Sequence, residues 1–151
     1  MMQLTQHTDF GLRLLIVLAR KGGPVSLPAF SAEQGLSYHH VAKVAQALVQ
    51  AGFAVSQRGR SGGIALARPA ADIGVGDVVR KLERGMRLAD CAGCALKADC
   101  GLSSVLAEAL AAFMGVLDRY TLADVSREGG AAFAPWAVLP AAPGCAVTGP
   151  S

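Results

Sequence analysis

Residues 37–66 read SYHHVAKVAQALVQAGFAVSQRGRSGGIAL, and the order of patterns inside this stretch decides the fold. Its first half has a helical period. Val41, Val44 and Leu48 share one apolar stripe between Tyr38 and Ala51, which leaves Tyr38, His39, Lys43, Gln46 and Gln50 mostly outward. Ser37 is placed to cap this helix and Gly52 to close it. The second half changes period. Phe53 and Val55 alternate with small or polar residues, as do Ile64 and Leu66, so two short strands flank Arg58-Gly59-Arg60-Ser61-Gly62-Gly63, a flexible basic hairpin tip. A helix followed at once by a two-stranded ribbon is the back half of a winged helix-turn-helix, provided that two helices precede it.

Two do. From Thr8 to Arg20, Phe10, Leu14, Val17 and Leu18 recur at helical spacing, with Leu15 and Ile16 widening the stripe, and Gly22-Gly23-Pro24 stops the pattern. Ser26 then caps a short helix over Leu27–Gln34, because its hydroxyl can accept a free backbone N–H; Pro28 is tolerated in that first turn, and Gly35 ends it. The expected fold class is therefore mainly α with a small β-hairpin wing, a winged helix-turn-helix followed by a long C-terminal dimerisation helix.

Downstream, a fourth helix from about Val75 to Glu83 should bury Val78, Val79 and Leu82. A loop around Cys91–Cys100 separates it from a long helix running from about Leu102 to Leu122. Leu102, Leu106, Ala109, Phe113, Val116 and Tyr120 form one stripe there, with Val105, Leu110 and Leu117 beside it. That stripe is wide for a helix at the edge of a chain, so part of it is expected to pack on a second subunit. From Ser126 onward Gly, Ala and Pro dominate without periodicity, the pattern of a mobile tail. The chain is thus expected to divide into a winged helix-turn-helix domain over 1–83, a cysteine-bearing loop over 84–101, a dimerisation helix over 102–125 and a flexible tail over 126–151.

Composition narrows the function. A chain of 151 residues with 52% apolar residues can build one core. No apolar run approaches the ~18 residues needed to cross a bilayer, the longest being Leu14–Ala19. The start lacks a basic region followed by an apolar segment and a cleavage site, so no membrane contact and a cytoplasmic location are expected. Four cysteines in such a setting suggest reduced thiols or metal ligands rather than a disulfide framework. Residues 1–70 carry seven Lys/Arg against two Asp/Glu, while residues 71–151 carry seven against nine. A basic front half favours a polyanionic partner.

The winged pattern says where that partner would sit. Ser37, Tyr38, His39, His40 and Lys43 offer hydroxyl, phenol, imidazole and ammonium groups suited to base edges and phosphates in a major groove. Arg58, Arg60 and Ser61, on a tip made slender by Gly59, Gly62 and Gly63, can enter an adjacent minor groove. Double-stranded DNA with a palindromic operator is the expected partner. The competing view is a protein-interaction module whose exposed cations are merely solvated.

The second signal is Cys91-x2-Cys94-x5-Cys100, bracketed by Asp90 and Asp99. Three thiolates are soft, strongly donating ligands that suit an iron–sulfur cluster or zinc. A structural zinc site usually closes with four N/S ligands, and no His or fourth Cys lies nearby. A thioredoxin-like pair at Cys91 and Cys94 would need a βαβ setting that this segment lacks. Thiol switching and inert thiols complete the alternatives. Cys145, in the tail, reads as a spare thiol.

Several motifs carry a family resemblance. Leu4-Thr5…Thr8-Asp9-Phe10-Gly11-Leu12-Arg13, the Arg58–Gly63 wing, Ile73…Gly76-Asp77-Val78-Val79-Arg80…Leu82-Glu83, the three cysteines and Tyr120-Thr121-Leu122-Ala123-Asp124 together span roughly Met2 to Val125. In these the chain resembles the winged-helix iron–sulfur regulators that include IscR, and within them the NsrR-type nitric-oxide-sensing repressors. The resemblance implies a homodimeric transcription repressor, not an enzyme, with one cluster per subunit, 4Fe–4S in preference to 2Fe–2S. It also implies three cysteine ligands, Cys91, Cys94 and Cys100, and an oxygen ligand from the partner's N-terminal helix, by position the partner subunit's Asp9. The ordinary alternative for Asp9 is an N-cap or first-turn carboxylate. Nitric oxide would break the weaker carboxylate bond and free the reading heads from their fixed orientation. One departure stands out, since the family usually has a wider gap between the first two cysteines than Ala92-Gly93 provides. The nearest rival is an IscR-like regulator of cluster or iron supply. More distant rivals are a thiol-redox enzyme and a zinc-stabilised adaptor.

Overall fold

Thr5 opens the fold. Its backbone is extended, and its hydroxyl oxygen accepts the Thr8 N–H at 3.3 Å, so helix α1 (Gln6–Lys21) begins two residues before the apolar pattern at Thr8. The computed structural model describes residues 4–127. Ser26 caps α2 (Leu27–Gln34) through Ala29 N–H, with Pro28 in the first turn as expected. Gly35 then turns the chain at φ +63°, a left-handed conformation that an L side chain rarely adopts, and α3 (Tyr38–Gln50) follows. Ser37 holds the N-cap position of α3 with extended backbone but makes no side-chain capping bond, so its hydroxyl stays free for other partners.

These three helices bury one face each into a single core. Leu14, Leu15 and Leu18 of α1 meet Phe30 of α2 and Val41, Val44 and Leu48 of α3, all essentially sealed from solvent. Each such side chain contributes roughly 1.5–3 kcal/mol through removal from water, which fixes the mutual angle of the helices.

The wing consists of β1 (Ala54–Gln57) and β2 (Gly63–Leu66), antiparallel, with Val55 opposite Ala65 and Gln57 opposite Gly63. Val25 adds a third short strand contact, exchanging two backbone bonds with Ile64 at 2.8 and 2.9 Å. The expected alternation does not hold. Phe53 and Ala54, adjacent at the base, are both buried, as are Ile64 and Ala65, while Val55 is 42% exposed, because the base of the ribbon is sealed into the core and the rest has already left it.

A turn of 3₁₀ helix (Ala70–Asp72) leads into α4 (Val75–Leu82), which buries Val78, Val79 and Leu82 as expected and Val75 besides. The loop over 84–101 follows, then α5 (Leu102–Leu117). Here the structure corrects the single long helix expected to Leu122. The helix stops at Leu117, because Arg80 of α4 grips the Asp118 carboxylate with two bonds of 2.6 Å. The next residues pair as backbone, Val75 N–H to Tyr120 O and Leu122 N–H to Ile73 O. Thr121 and Asp124 then form a reciprocal capping box that starts α6 (Leu122–Ser126). Leu122 is thereby buried against α1, and Ser126, expected to open the tail, instead ends α6 buried with its hydroxyl on Leu122 O. Cys145 and nearly all of the expected tail lie outside the described residues.

No residue of α5 is buried within this chain; Leu102, Val105 and Val116 are 60%, 58% and 45% exposed. Among the described residues no helix is long and apolar enough to cross a membrane.

Candidate nucleic-acid interface and thiol loop

Burial of Val41, Val44, Ala45 and Leu48 turns the opposite face of α3 to solvent, and that face carries His39, Lys43, Gln46 and Gln50. The five candidates from the start of the helix do not share one direction. His39 and Lys43 point outward with the polar face. Tyr38, 54% exposed, leans towards the wing. His40 leans the other way, its ring 6.5 Å from that of Phe10 on α1. Ser37 is exposed at the helix start. Gln46 and Gln50, outward by the helical period, were not among the candidates and join them because they share the exposed face of His39 and Lys43.

The wing presents Arg58, Arg60 and Ser61 at its exposed tip, and among the described residues neither arginine is held in an ion pair. Gly62 and Gly63 are half-buried rather than projecting. A Cβ on Gly62 would lie 2.6 Å from the Gln57 carbonyl oxygen, and one on Gly63 would strike the Val25 carbonyl. Both glycines are thus required for close backbone packing, whatever else they touch.

The thiols sit on an open loop. Cys91 and Cys100 are half-buried and Cys94 is exposed; all three are free. Local turns shape the segment, with Cys94 N–H on Cys91 O, Lys97 N–H on Cys94 O and Asp99 N–H on Leu96 O. Ala92 and Gly93 are the two residues inside the first of these turns, and so the narrow gap between the first two cysteines is accommodated as a tight turn. Asp90 accepts the Ala92 N–H and lies 3.8 Å from Arg87. Among the described residues no three His, Cys, Asp or Glu side chains gather closely enough to hold a metal ion. The donor chemistry nonetheless fits a thiolate-bound cluster: three accessible soft donors within ten residues, on a backbone free of regular structure and able to adjust.

Asp9 lies in the first turn of α1, half-exposed, and is not the N-cap, a position that Thr5 fills. Its carboxylate instead takes a two-point contact from Arg13, at 3.1 Å to Nε and 2.7 Å to the second nitrogen. The Arg13 guanidinium also lies 6.0 Å from the centre of the Phe10 ring.

One residue of this region was not foreseen. Glu83, directly after α4 and at the root of the thiol loop, accepts hydrogen bonds from the Thr5 N–H, the Thr5 hydroxyl and the Thr8 hydroxyl. Burial works to raise this carboxyl, but the bonds from Thr8 and Thr5 outweigh it, so its pKa falls below the ordinary glutamate value. The clamp ties the turn that carries Asp9 to the segment that leads into the cysteines. Its partners lie more than seventy positions apart in the chain, a separation that no local pattern reports.

Comparison with known proteins agrees with this layout. Residues 4–128 match Rrf2, described as iron-dependent transcriptional regulator. Among solved structures, T. potens IscR is 30% identical, with 88% of this chain and 94% of that one covered and a TM-score of 0.70. CymR (YrzC), the global cysteine regulator of B. subtilis, is also 30% identical, covering 83% of this chain and 97% of that one, at a TM-score of 0.67. The oxidized form of Staphylococcus aureus CymR gives 30% identity, the same coverages and a TM-score of 0.69.

Proposed function

The chain belongs to the Rrf2 family of transcriptional regulators, and from that premise we propose that it is a dimeric, cytoplasmic DNA-binding repressor that senses nitric oxide through an iron–sulfur cluster. Cys91, Cys94 and Cys100 of one subunit and the partner subunit's Asp9 hold the cluster, 4Fe–4S in preference to 2Fe–2S, one per subunit. The observation that carries the reading is the position of the thiol loop. Cys100 adjoins Gly101, the N-cap of α5, and α5 leaves its apolar residues uncovered in the single chain. A second copy laid on that face buries them and brings each thiol loop towards the other subunit. The sensor is thereby continuous with the dimer contact, and Asp9 is continuous with the helix that packs on α3.

When bound, such a cluster supplies iron sites that react with nitric oxide. The residues of this chain do the rest. Three thiolates would anchor the cluster, and the partner subunit's Asp9 would add the link that crosses from one subunit's sensor to the other's reading head. The Glu83 clamp on Thr5 and Thr8 keeps that link stiff. Were that carboxylate released, Arg13, which pairs with Asp9 in this structure, would hold it, and α1 would no longer tie its own reading head to the partner's sensor. DNA is read by His39 and Lys43 with Ser37, Tyr38 and His40 at the helix start, and by the Arg58–Gly63 wing.

Anaerobic purification with iron and sulfide analysis tests the reading. Wild type and Cys145→Ala should be brown and retain duplex DNA, while Cys91→Ala, Cys94→Ala and Cys100→Ala should each fail to load stably. Nitric oxide should bleach the protein and release DNA together. A colourless protein holding zinc, with no DNA retardation at low salt, would overturn it. The likeness to T. potens IscR supports a second reading, a regulator of iron–sulfur or iron supply. DNA binding that follows iron loading but is indifferent to nitric oxide would favour that one.

A further inference from the structure

Cys91 and Cys94 are the two ends of a single turn. The Cys94 N–H meets the Cys91 carbonyl oxygen at 3.4 Å, and only Ala92 and Gly93 stand between them. Such a turn holds the Cα atoms at its ends within ~7 Å, and a disulfide spans Cα separations of about 4.4–6.8 Å. Cys100 is placed differently. Its carbonyl oxygen accepts the Ser103 hydroxyl at 2.9 Å, so it belongs to the start of α5. Among the described residues no backbone hydrogen bond closes the longer span from Cys94 to Cys100. Nor do any three of their His, Cys, Asp or Glu side chains gather as a metal site, whereas Cys91 and Cys94 already share a turn. This pair therefore meets more readily than either thiol meets Cys100, with little chain entropy left to lose.

We infer that Cys91 and Cys94 are a reversible disulfide pair, oxidised by a low-molecular-weight disulfide such as oxidised glutathione. Cys94 is exposed and Cys91 half-buried, which sets the order of the two exchanges. The Cys94 sulfur gives up its proton and attacks one sulfur of the small disulfide. That S–S bond breaks, one glutathione leaves as its thiol, and a mixed disulfide stays on Cys94. The Cys91 sulfur then gives up its proton, attacks the Cys94 sulfur and expels the second glutathione as a thiol. Two protein thiols have lost two electrons, one small disulfide has gained them, and both protons end on the departing thiols. The turn leaves room for the first step, since a Cβ on Gly93 would meet nothing within 4 Å.

The consequence rests on the cluster reading. A closed pair removes two of the three soft donors, so the oxidised chain takes up no cluster until a thiol reopens it. The loop then responds to the thiol redox poise as well as to nitric oxide, and the narrow Ala92-Gly93 gap supplies that second response.

The test uses the full-length protein, purified metal-free, across a series of ratios of oxidised to reduced glutathione. Free thiols are alkylated and the chain is cut by trypsin, which leaves Cys91 and Cys94 together in residues 88–97 and Cys100 in residues 98–119. The 88–97 peptide should become unalkylated and lighter by two hydrogens, and should revert when the ratio is reversed. Cys100→Ser should give the same product, whereas Cys91→Ser, without its resolving thiol, should accumulate glutathione on Cys94. A main product in which 88–97 is joined to another peptide, or in which both of its thiols remain alkylated at every ratio, would refute the pair. Cluster transfer from a loaded carrier protein in thiol-free buffer then tests the consequence. The reduced protein should gain visible absorbance, and the oxidised protein should gain none until it is reduced. Equal uptake by both would overturn the gating, while no uptake even by the reduced protein would remove the cluster reading and leave the mapped disulfide standing.

Discussion

Replacing Asp9 by alanine separates ligation from ordinary helix chemistry, because the structure leaves the side chain little structural work to lose. Thr5, not Asp9, caps α1, and Asp9 contributes an exposed pair with Arg13 at 2.7 Å. Such an i,i+4 pair is worth ~0.4 kcal/mol, and the favourable first-turn position against the helix dipole adds about as much. Alanine regains roughly 0.6 kcal/mol of helix propensity over aspartate. The net change is therefore within about 0.5 kcal/mol, a shift of the thermal midpoint of less than ~3 °C. Ligation predicts a different outcome for the loaded protein. Iron should still bind through three thiolates, but with an altered visible spectrum and cluster loss accelerated at least ~10-fold, the lower end of what even supporting contacts to a metal are worth. DNA affinity should fall further than cluster occupancy does. Thr5→Ala removes the cap and one of the Glu83 bonds but no ligand, and should cost ~1–2 kcal/mol. Mixing Asp9→Ala with Cys94→Ala subunits then assigns the bond to its chain. A heterodimer with ligation in trans keeps one complete site, built from the cysteines of the Asp9→Ala chain and the Asp9 of the Cys94→Ala chain, and should recover part of the wild-type spectrum. An unchanged spectrum and loss rate in Asp9→Ala homodimers would refute ligation by Asp9. No recovery in the mixed dimer, with subunit exchange verified, would refute the trans arrangement.

Three further outcomes follow from the geometry. Glu83→Ala removes three hydrogen bonds from a half-buried carboxylate and should destabilise the fold by ~1–2 kcal/mol at neutral pH. Because the folded pKa of Glu83 is depressed, its contribution is present above the unfolded value near 4.3 and is lost as pH falls through the folded one. Urea midpoints of wild type and variant should accordingly converge in strong acid, and a constant gap down to that range would show that the carboxylate charge is not what stabilises the clamp. Phe113→Glu, on the exposed face of α5, should convert the proposed dimer to a folded monomer in sedimentation experiments; a persistent dimer would move the contact elsewhere. Gly63→Ala should lower stability by ~1–3 kcal/mol through overpacking on the Val25 carbonyl, whereas Arg58→Ala should leave the thermal midpoint alone. Equal midpoints for the two would mean that β2 can shift away from Val25 without cost.

Local chemistry alone determined the winged helix-turn-helix. Ser26, Gly35 and the stripe through Val41, Val44 and Leu48 act within a turn or two of themselves, and the strands flanking Arg58–Gly63 are a period-2 signal over a few residues. The three thiols were equally legible, since their spacing is a property of ten consecutive residues. The direction of each reading-face side chain was not. A helical wheel does not say that His40 meets Phe10 while Tyr38 faces the wing, because those neighbours come from elements far away in sequence. The break after Leu117 was obscured for a related reason. The apolar stripe continues through Val116 and Tyr120, and although Thr121-x-x-Asp124 is a readable start signal, it is the Arg80–Asp118 bond and the pairing of Tyr120 and Leu122 with Val75 and Ile73 that end the helix. The Glu83 clamp on Thr5 and Thr8 joins the two ends of the winged domain. Short-range preferences are set by a residue and its near neighbours, whereas these contacts depend on where the closed core places segments that the chain itself holds far apart.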